Sequence, residues 1–228
     1  MADNVVNLNR FRKKKAREDK AKQADINRIR HGRTQAEKDR ERIERERTTR
    51  ALAGKRLDKP ALLVRRATLA DVVPILDIVR RVVPLMRAAG NLQWDDVYPN
   101  AEVFTEDVRL ERLWLADVDG RIAGFAAITT DQEPEYADVG WDLSETAIVV
   151  HRLAVDPELR GLGVAEALLE RAEVVARERG IGVLRIDTNI ENEATQRLFP
   201  KCGYVLAGEI GLGFRPGLRF RCYEKRLR

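Results

Sequence analysis

The sequence predicts an α/β (α+β) domain, a mixed sheet with flanking helices, preceded by a charged helical extension. Three observations predict it. From Leu62 onward, short apolar runs alternate with segments of helical apolar spacing. Between Ala147 and Gly180 a strand, a glycine-rich turn and a helix follow one another directly. Charge divides the chain: residues 1–59 hold 20 Lys and Arg against 10 Asp and Glu, a net +10, while residues 60–228 hold 22 against 27, a net −5. The shift near Pro60 separates a basic helical extension, 1–59, from a folded domain, 60–228. With 228 residues and 44% hydrophobic composition, the chain can bury one real core beside an appendage. Cys202 and Cys222 make no disulfide framework, so a reducing compartment is expected. No stretch approaches the roughly 18 apolar residues of a membrane span. The polar start lacks the apolar segment of a secretory signal. Together these predict a cytoplasmic protein.

The extension is rich in Lys, Arg, Glu, Gln and Ala, all good helix formers, and too poor in large apolar residues to build a core. The spacing predicts a helix over 9–30, a break at His31-Gly32 and a second helix over 35–53. Thr34 with Glu37 fits a capping box, and Gly54 fits the stop. Arg10, Arg12, Lys13, Lys14, Lys15 and Arg17 form the densest basic cluster, suited to phosphate neutralisation. A nucleic-acid or ribosome contact is one reading and a solvated face the other. Asn7-Leu8-Asn9-Arg10, Asn27-Arg28, Gly32-Arg33-Thr34 and Leu57-Asp58 resemble a bacterial domain of unknown function, DUF4169, which supplies no activity.

In the second region, residues 62–67 read as a strand, and Thr68 with Asp71 as a helix start. Ile75, Leu76, Val79, Val82 and Val83 line a helical face that Pro74 and Pro84 are expected to break into two pieces. A loop over 90–99 carries Trp94 and Tyr98, candidates for a substrate wall. A short helix is expected over 104–111. Strands over 113–118 and 122–129 flank Asp119-Gly120, a type I′ hairpin signal. Residues 131–145 read as a polar loop.

The centre of the chain is the stretch from His151 to Gly180. A buried strand over 147–155 ends at Asp156-Pro157, because proline cannot continue a ladder. Arg160-Gly161-Leu162-Gly163-Val164-Ala165 follows. Ala165, Leu168, Leu169, Ala172, Val175 and Ala176 then make one helical face, stopped by Gly180. A helix N-terminus has N–H groups without internal partners and a positive dipole end, so the pattern is an anion cradle. The glycines permit close approach, and Arg160 adds a fork of donors suited to phosphate. No Gly-Lys-Ser/Thr is present for a P-loop, and Glu166 stands where a dinucleotide fingerprint needs a small residue.

The C-terminal part reads as a strand over 183–187, a turn over 189–193, a helix ended by Gly203, and strands over 204–207 and 218–223 joined by a glycine-rich loop, 208–217. Two motifs now stand in order. Arg160-x-x-Gly163-x-Ala165 resembles the acetyl-CoA motif of the GNAT superfamily of N-acetyltransferases. Asn192 to Tyr204, with Leu198-Phe199 and Gly203-Tyr204, resembles its second motif. The resemblance covers about residues 61–228. It implies the GNAT fold, a mixed and mostly antiparallel sheet whose fourth and fifth strands splay at a bulge. It also implies acetyl-CoA as acetyl donor, with no metal.

The resemblance implies that pantetheine pairs with the strand at Leu153, Ala154 and Val155. The pyrophosphate would sit on Arg160, Gly161, Leu162, Gly163, Val164 and Ala165, with Asn192 and Phe199 completing the acetyl-CoA site. Direct transfer to a primary amine is expected: a small amine, an amino acid or a protein N-terminus. The chain departs from the family at Phe199, where a tyrosine acid is usual. Tyr204 is then a candidate acid, with Cys202 and Tyr223 behind it. His151 is a candidate base, because imidazole exchanges protons near neutrality, and Glu145 is its alternative. A homodimer fits the family habit. Two other readings stay open: a non-catalytic acyl-CoA sensor, and a nucleic-acid- or ribosome-associated protein targeted by its basic arm.

Overall fold

The computed structural model describes residues 8–31, 39–40, 42–44 and 61–227. The chain divides into two compact units, Met1–Lys59 and Pro60–Arg228. In the first, helix α1 spans Leu8–His31. Its side chains from 12 to 28 are all exposed, so propensity and local pairs such as Arg28–Asp25 (3.6 Å) hold it, not a core. The expected break at 31–32 and most of the expected second helix with its cap lie outside the described residues.

The second unit is built on one seven-stranded sheet in the order β1-β2-β3-β4-β5-β7-β6. The strands are β1 Leu62–Arg66, β2 Leu113–Val118, β3 Arg121–Thr129, β4 Ile148–Val155, β5 Val183–Asn189, β6 Val205–Leu212 and β7 Arg215–Arg226. Every pairing is antiparallel except β4 with β5. The helices are α2 Val72–Ala88, α3 Ala101–Arg109, α4 Val164–Glu178 and α5 Glu193–Lys201. The expected mixed sheet with flanking helices is the observed architecture.

Both faces of the sheet are covered, which is why β3 is apolar almost throughout. On one face Leu168, Leu169, Ala172, Val175 and Ala176 of α4 pack on Trp114, Ala126, Ile128 and Ile148. On the other, Ile75, Ile78, Val79 and Phe104 of α2 and α3 pack on Leu115, Phe125 and Ala127. A smaller core lies under a 3₁₀ segment, Pro134–Val139, where Tyr136 meets Val149, Ile210 and Phe220.

The hairpin at Asp119-Gly120 has positive φ at both positions, 50° and 81°, as a type I′ turn requires. Both Thr68 N–H and Oγ1 donate to Asp71 Oδ2, at 2.7 and 2.8 Å, closing the expected cap. Three expectations are corrected. The 72–88 segment is one helix, not two: Pro74 falls in the first turn, where its missing N–H costs nothing, and the helix carries Pro84 in its interior. The short helix starts earlier, because Asn100 Oδ1 accepts from Val103 N–H (3.1 Å) and caps it. The glycine-rich 208–217 segment is mostly strand. Gly208 sits in β6 because a Cβ there would meet Val139 Cγ1 at 2.8 Å.

Candidate active site

The site begins with the divergence of β4 and β5. Their parallel pairing covers only Ile148↔Leu184 and Val149↔Arg185. Beyond it β5 stays paired to β7, and β4 turns away with β3. The cause is visible in β4: the β3–β4 register shifts between Phe125 and Ala127, and Arg152 takes φ +53°, a bulge in the strand. The backbone edge of 150–155 facing β5 is left without a strand partner. A cavity of about 1010 Å³ fills the gap.

At one end of the cavity is the cradle. Asp156, with no exposed side-chain surface, accepts from Glu158 N–H (3.1 Å), Arg81 (3.0 Å) and Arg121 (2.7 Å). Burial works to raise its pKa, but those donors overcome it and keep the carboxyl below its ordinary range. This anchors the turn between β4 and α4. Gly161 and Gly163 then take φ of +79° and +80°, and a Cβ at either would meet nothing within 4 Å. They face open space before the first N–H groups of α4. Among the described residues no carboxylate pairs with Arg160, which lines the same wall. This end fits a pyrophosphate, by its open cradle and its free guanidinium.

Residues 150–155 form one side of the middle, and Ile186, Thr188, Thr195, Leu198 and Phe199 the other. Asn192 caps α5 through Thr195 N–H (3.5 Å), and the Thr188 and Thr195 hydroxyls are 2.8 Å apart. The unpaired β4 edge fits an extended amide-bearing chain, because its N–H and C=O groups otherwise lack partners.

The far end is walled by Gln93, Trp94 and Tyr98 from the 91–99 loop, by Leu212 and Phe214 from the β6–β7 hairpin, and by Asp131, Glu133, His151, Asp187 and Glu191. Trp94 is buried and stacks on Phe125. Tyr98 accepts from Arg152 Nη1 (3.1 Å), and Arg152 is itself held bidentately by buried Asp107 (2.8 and 2.8 Å). His151 Nε2 lies 3.2 Å from the Asp131 carbonyl oxygen.

Of the residues singled out from sequence, His151, Leu153, Ala154, Val155, Arg160, Gly161, Gly163, Val164, Ala165, Asn192, Phe199, Trp94 and Tyr98 all line this one cavity. Three do not. Leu162 sits in the cradle turn with its side chain exposed. Glu145 is held outside by Arg226 (2.9 and 3.0 Å) and Arg185 (3.2 Å), and the Arg226 contact above all lowers its pKa, the wrong direction for a base. Tyr204 is 2% exposed, packed with Phe199 and beneath Lys225, and burial pushes its pKa upward. Cys202 and Tyr223 do not line the cavity either.

Sequence reasoning missed Glu133 and Asp187. Both line the cavity, and burial raises both carboxyls, with the His151 charge opposing it in each. Asp187 accepts from Tyr136 OH (2.6 Å). Among the described residues no donor meets the Glu133 carboxylate. Glu133 stood in a stretch read as polar loop, and no spacing marked it. Asp187 ended a strand read only as core.

A family model for the acetyltransferase (GNAT) family matches residues 82–204, and one for a domain of unknown function, DUF4169, matches residues 3–57. An IAA acetyltransferase of Azospirillum brasilense is 28% identical over 150 residues, 63% of this chain and 88% of that protein. A GNAT-family acetyltransferase of Streptococcus agalactiae superposes with a TM-score of 0.63 at 24% identity, over 73% of this chain and 96% of its own. An acetyltransferase of Salmonella typhimurium, solved with its cofactor acetyl-CoA, gives a TM-score of 0.54 at 20% identity, over 74% and 95%.

Proposed function

The chain belongs to the GNAT acetyltransferase family, and from that premise we propose that it moves an acetyl group from acetyl-CoA directly to a primary amine held at the far end of the cavity. The observation that carries this reading is the continuity of one cavity past the cradle, the unpaired β4 edge and a half-buried, unpartnered carboxylate. Bound acetyl-CoA supplies an acyl group already activated as a thioester. The protein's task is then alignment, polarisation of a carbonyl and removal of two protons from the acceptor nitrogen, one before attack and one that passes to the departing thiolate.

Gly161 to Ala165 and Arg160 hold the diphosphate. The β4 edge over 153–155 holds the pantetheine amides and aims backbone N–H groups at the carbonyl oxygen. Glu133 takes the proton from the acceptor ammonium. Its raised pKa suits it, since a stronger base pulls harder, and it lacks the ion pair that disables Glu145. His151, within the field of both carboxyls, orders the wall through the Asp131 carbonyl and is the second candidate for proton transfer.

Isothermal titration of acetyl-CoA into the protein tests the donor site: the wild type is expected to bind, and Arg160→Ala to bind more weakly. Thiol release with an amine panel tests transfer, and Glu133→Gln is expected to bind acetyl-CoA while losing turnover. Absence of acetyl-CoA binding in the wild type refutes the reading.

The basic arm supports a further targeting role through nucleic acid or the ribosome. In α1, Arg12, Lys13, Lys14, Lys15, Arg17, Lys20 and Lys22 are exposed, against Glu18, Asp19 and Asp25. RNA binding that weakens steeply with salt, and is lost on changing Lys13, Lys14 and Lys15 to Glu, is the expected result. Salt-independent or absent binding refutes it.

A further inference from the structure

The far wall of the cavity specifies the charge of the acceptor, an inference that rests on the transferase reading above. Four carboxylates line that wall: Asp131, Glu133, Asp187 and Glu191. Only Asp131 is matched by an ion pair, to Arg112 at 2.7 Å. Asp187 is met by a neutral phenol, Tyr136, at 2.6 Å. Glu133 and Asp187 are close enough that the charge on Asp187 disfavours ionisation of Glu133.

The cations on the cavity wall are committed or remote. Arg152 is held at all three of its nitrogen atoms, by Asp107 twice and by Tyr98. Arg160 belongs to the cradle turn. Arg197 pairs with Glu193 at 2.9 Å on α5, which also carries Lys201. Beside the carboxylates stand His151, whose charge offsets Glu133 and Asp187, and Arg152, already taken up by Asp107; among the described residues of that wall carboxylates still outnumber cations. An α-amino acid would therefore add a negative charge to a wall already holding an excess of it.

A single ammonium compensates the wall only until it reacts, because the attacking amine must first give up its proton. A second ammonium on the same molecule would keep a positive charge among the carboxylates throughout. Leu85 and Met86 of α2, with Ala89 just past its end, line the same cavity and offer apolar surface to a methylene chain between the two nitrogens.

The wall is also clasped. Arg215 of β7 pairs with Asp95 of the 91–99 loop at 2.8 Å and lies 5.2 Å over the Tyr98 ring. This joins the loop to the β6–β7 hairpin across the acceptor end. A small acceptor fits behind such a clasp, whereas a polypeptide would have to open it.

We propose that the acceptor is a small diamine or polyamine without a carboxylate, its reacting nitrogen served by Glu133 and its second ammonium held by Asp187 and Glu191. The test is thiol release from acetyl-CoA by the full chain with putrescine, spermidine, butylamine, lysine and a lysine-containing peptide as acceptors. The expected kcat/KM for putrescine or spermidine exceeds that for butylamine by about tenfold, the scale of a charge-assisted hydrogen bond in a half-buried site. Glu191→Gln, at an exposed position that cannot threaten folding, is expected to raise KM for the diamines and leave butylamine unchanged. Asp187→Asn is expected to raise KM for the diamines more strongly and, because its charge also bears on Glu133, to alter butylamine turnover as well. Equal or better turnover of butylamine, lysine or the peptide overturns the proposal and leaves the transferase reading standing. Acetyl-CoA binding with no amine acetylated also overturns it. Failure to bind acetyl-CoA at all removes the reading on which it rests.

Discussion

Two glycines separate what the fold needs from what the ligand needs. Gly124 lies in β3 opposite Val155, beneath the start of α4. A Cβ there would stand 2.6 Å from the Ala154 carbonyl oxygen and 2.7 Å from Val164 Cγ1. Both neighbours are fixed, one as backbone and the other as a fully packed side chain at the first position of α4. Gly124→Ala must push strand and helix apart, at an overpacking cost of about 1–3 kcal/mol. For a domain of this size each kcal/mol lowers Tm by about 2–4 °C. Gly163→Ala differs in kind: its Cβ meets nothing, so the cost is the left-handed backbone alone, about 1 kcal/mol. Gly163 itself, however, lines the cavity at the cradle, where an added Cβ would take up room. Thermal unfolding and acetyl-CoA titration on both variants read the two effects apart. Gly124→Ala is expected to melt lower than Gly163→Ala, and Gly163→Ala to lose the larger share of acetyl-CoA affinity. A Gly124→Ala protein that melts like the wild type would refute the tight β3–β4–α4 contact. Undiminished acetyl-CoA binding by Gly163→Ala would refute the cradle.

Glu133 should leave an acid limb in the pH–rate profile: burial raises its pKa above the ordinary carboxylate value, so the rate is expected to fall as pH falls through that raised pKa. In Glu133→Gln the limb should vanish with about a 10²–10⁴-fold loss of rate, and a limb that survives there belongs to another group. Asp71 is held at about 2, chiefly by the hydrogen bond from Arg65. A depressed folded pKa gives stability that is present above the unfolded value and lost as pH falls through the folded one. Asp71→Ala should therefore cost about 1–2 kcal/mol at neutral pH by urea unfolding, a difference that closes between about pH 4 and pH 2. Tyr204 OH is buried without a hydrogen-bond partner, so Tyr204→Phe is expected to be neutral or stabilising and to keep full turnover; a large rate loss would return Tyr204 to the site.

The cradle was legible in the sequence because every part of it is local. Asp156-Pro157 must end a strand, the glycines must turn, and the apolar spacing from Ala165 must be a helix. The type I′ hairpin at Asp119-Gly120 was legible for the same reason. Errors arose where distant residues decide. Glu145 looked like a base at the entrance of β4, but Arg226, 81 residues away, disarms it. Tyr204 looked like a spare acid until its packing against Phe199 and beneath Lys225 placed it in the core. Gly208 and Gly211 read as loop because the contact of Gly208 with Val139 is invisible in one dimension. Glu133 had no signal at all. It lines the cavity three residues before Tyr136, whose ring is buried against Trp141 and whose OH reaches Asp187.

Phe199 makes sense on the proposed chemistry. A thiol ionises near pH 8.5 and departs as thiolate with little help, whereas an alkylammonium near pKa 10 must be stripped of its proton before it can attack. The acid is therefore the more dispensable partner and the base the demanding one. Phe199 spends its ring on packing, edge-on to Tyr223 at 5.3 Å, and still forms part of the cavity wall. The demand for a base accounts for a feature that is otherwise costly, two half-buried carboxylates within each other's field. A single base would need one carboxylate. The second repels the first, a repulsion that His151 offsets in part and that a cationic acceptor would relieve further. On the proposed chemistry, the same pair of side chains would set both the proton transfer and the charge of the molecule admitted to receive it.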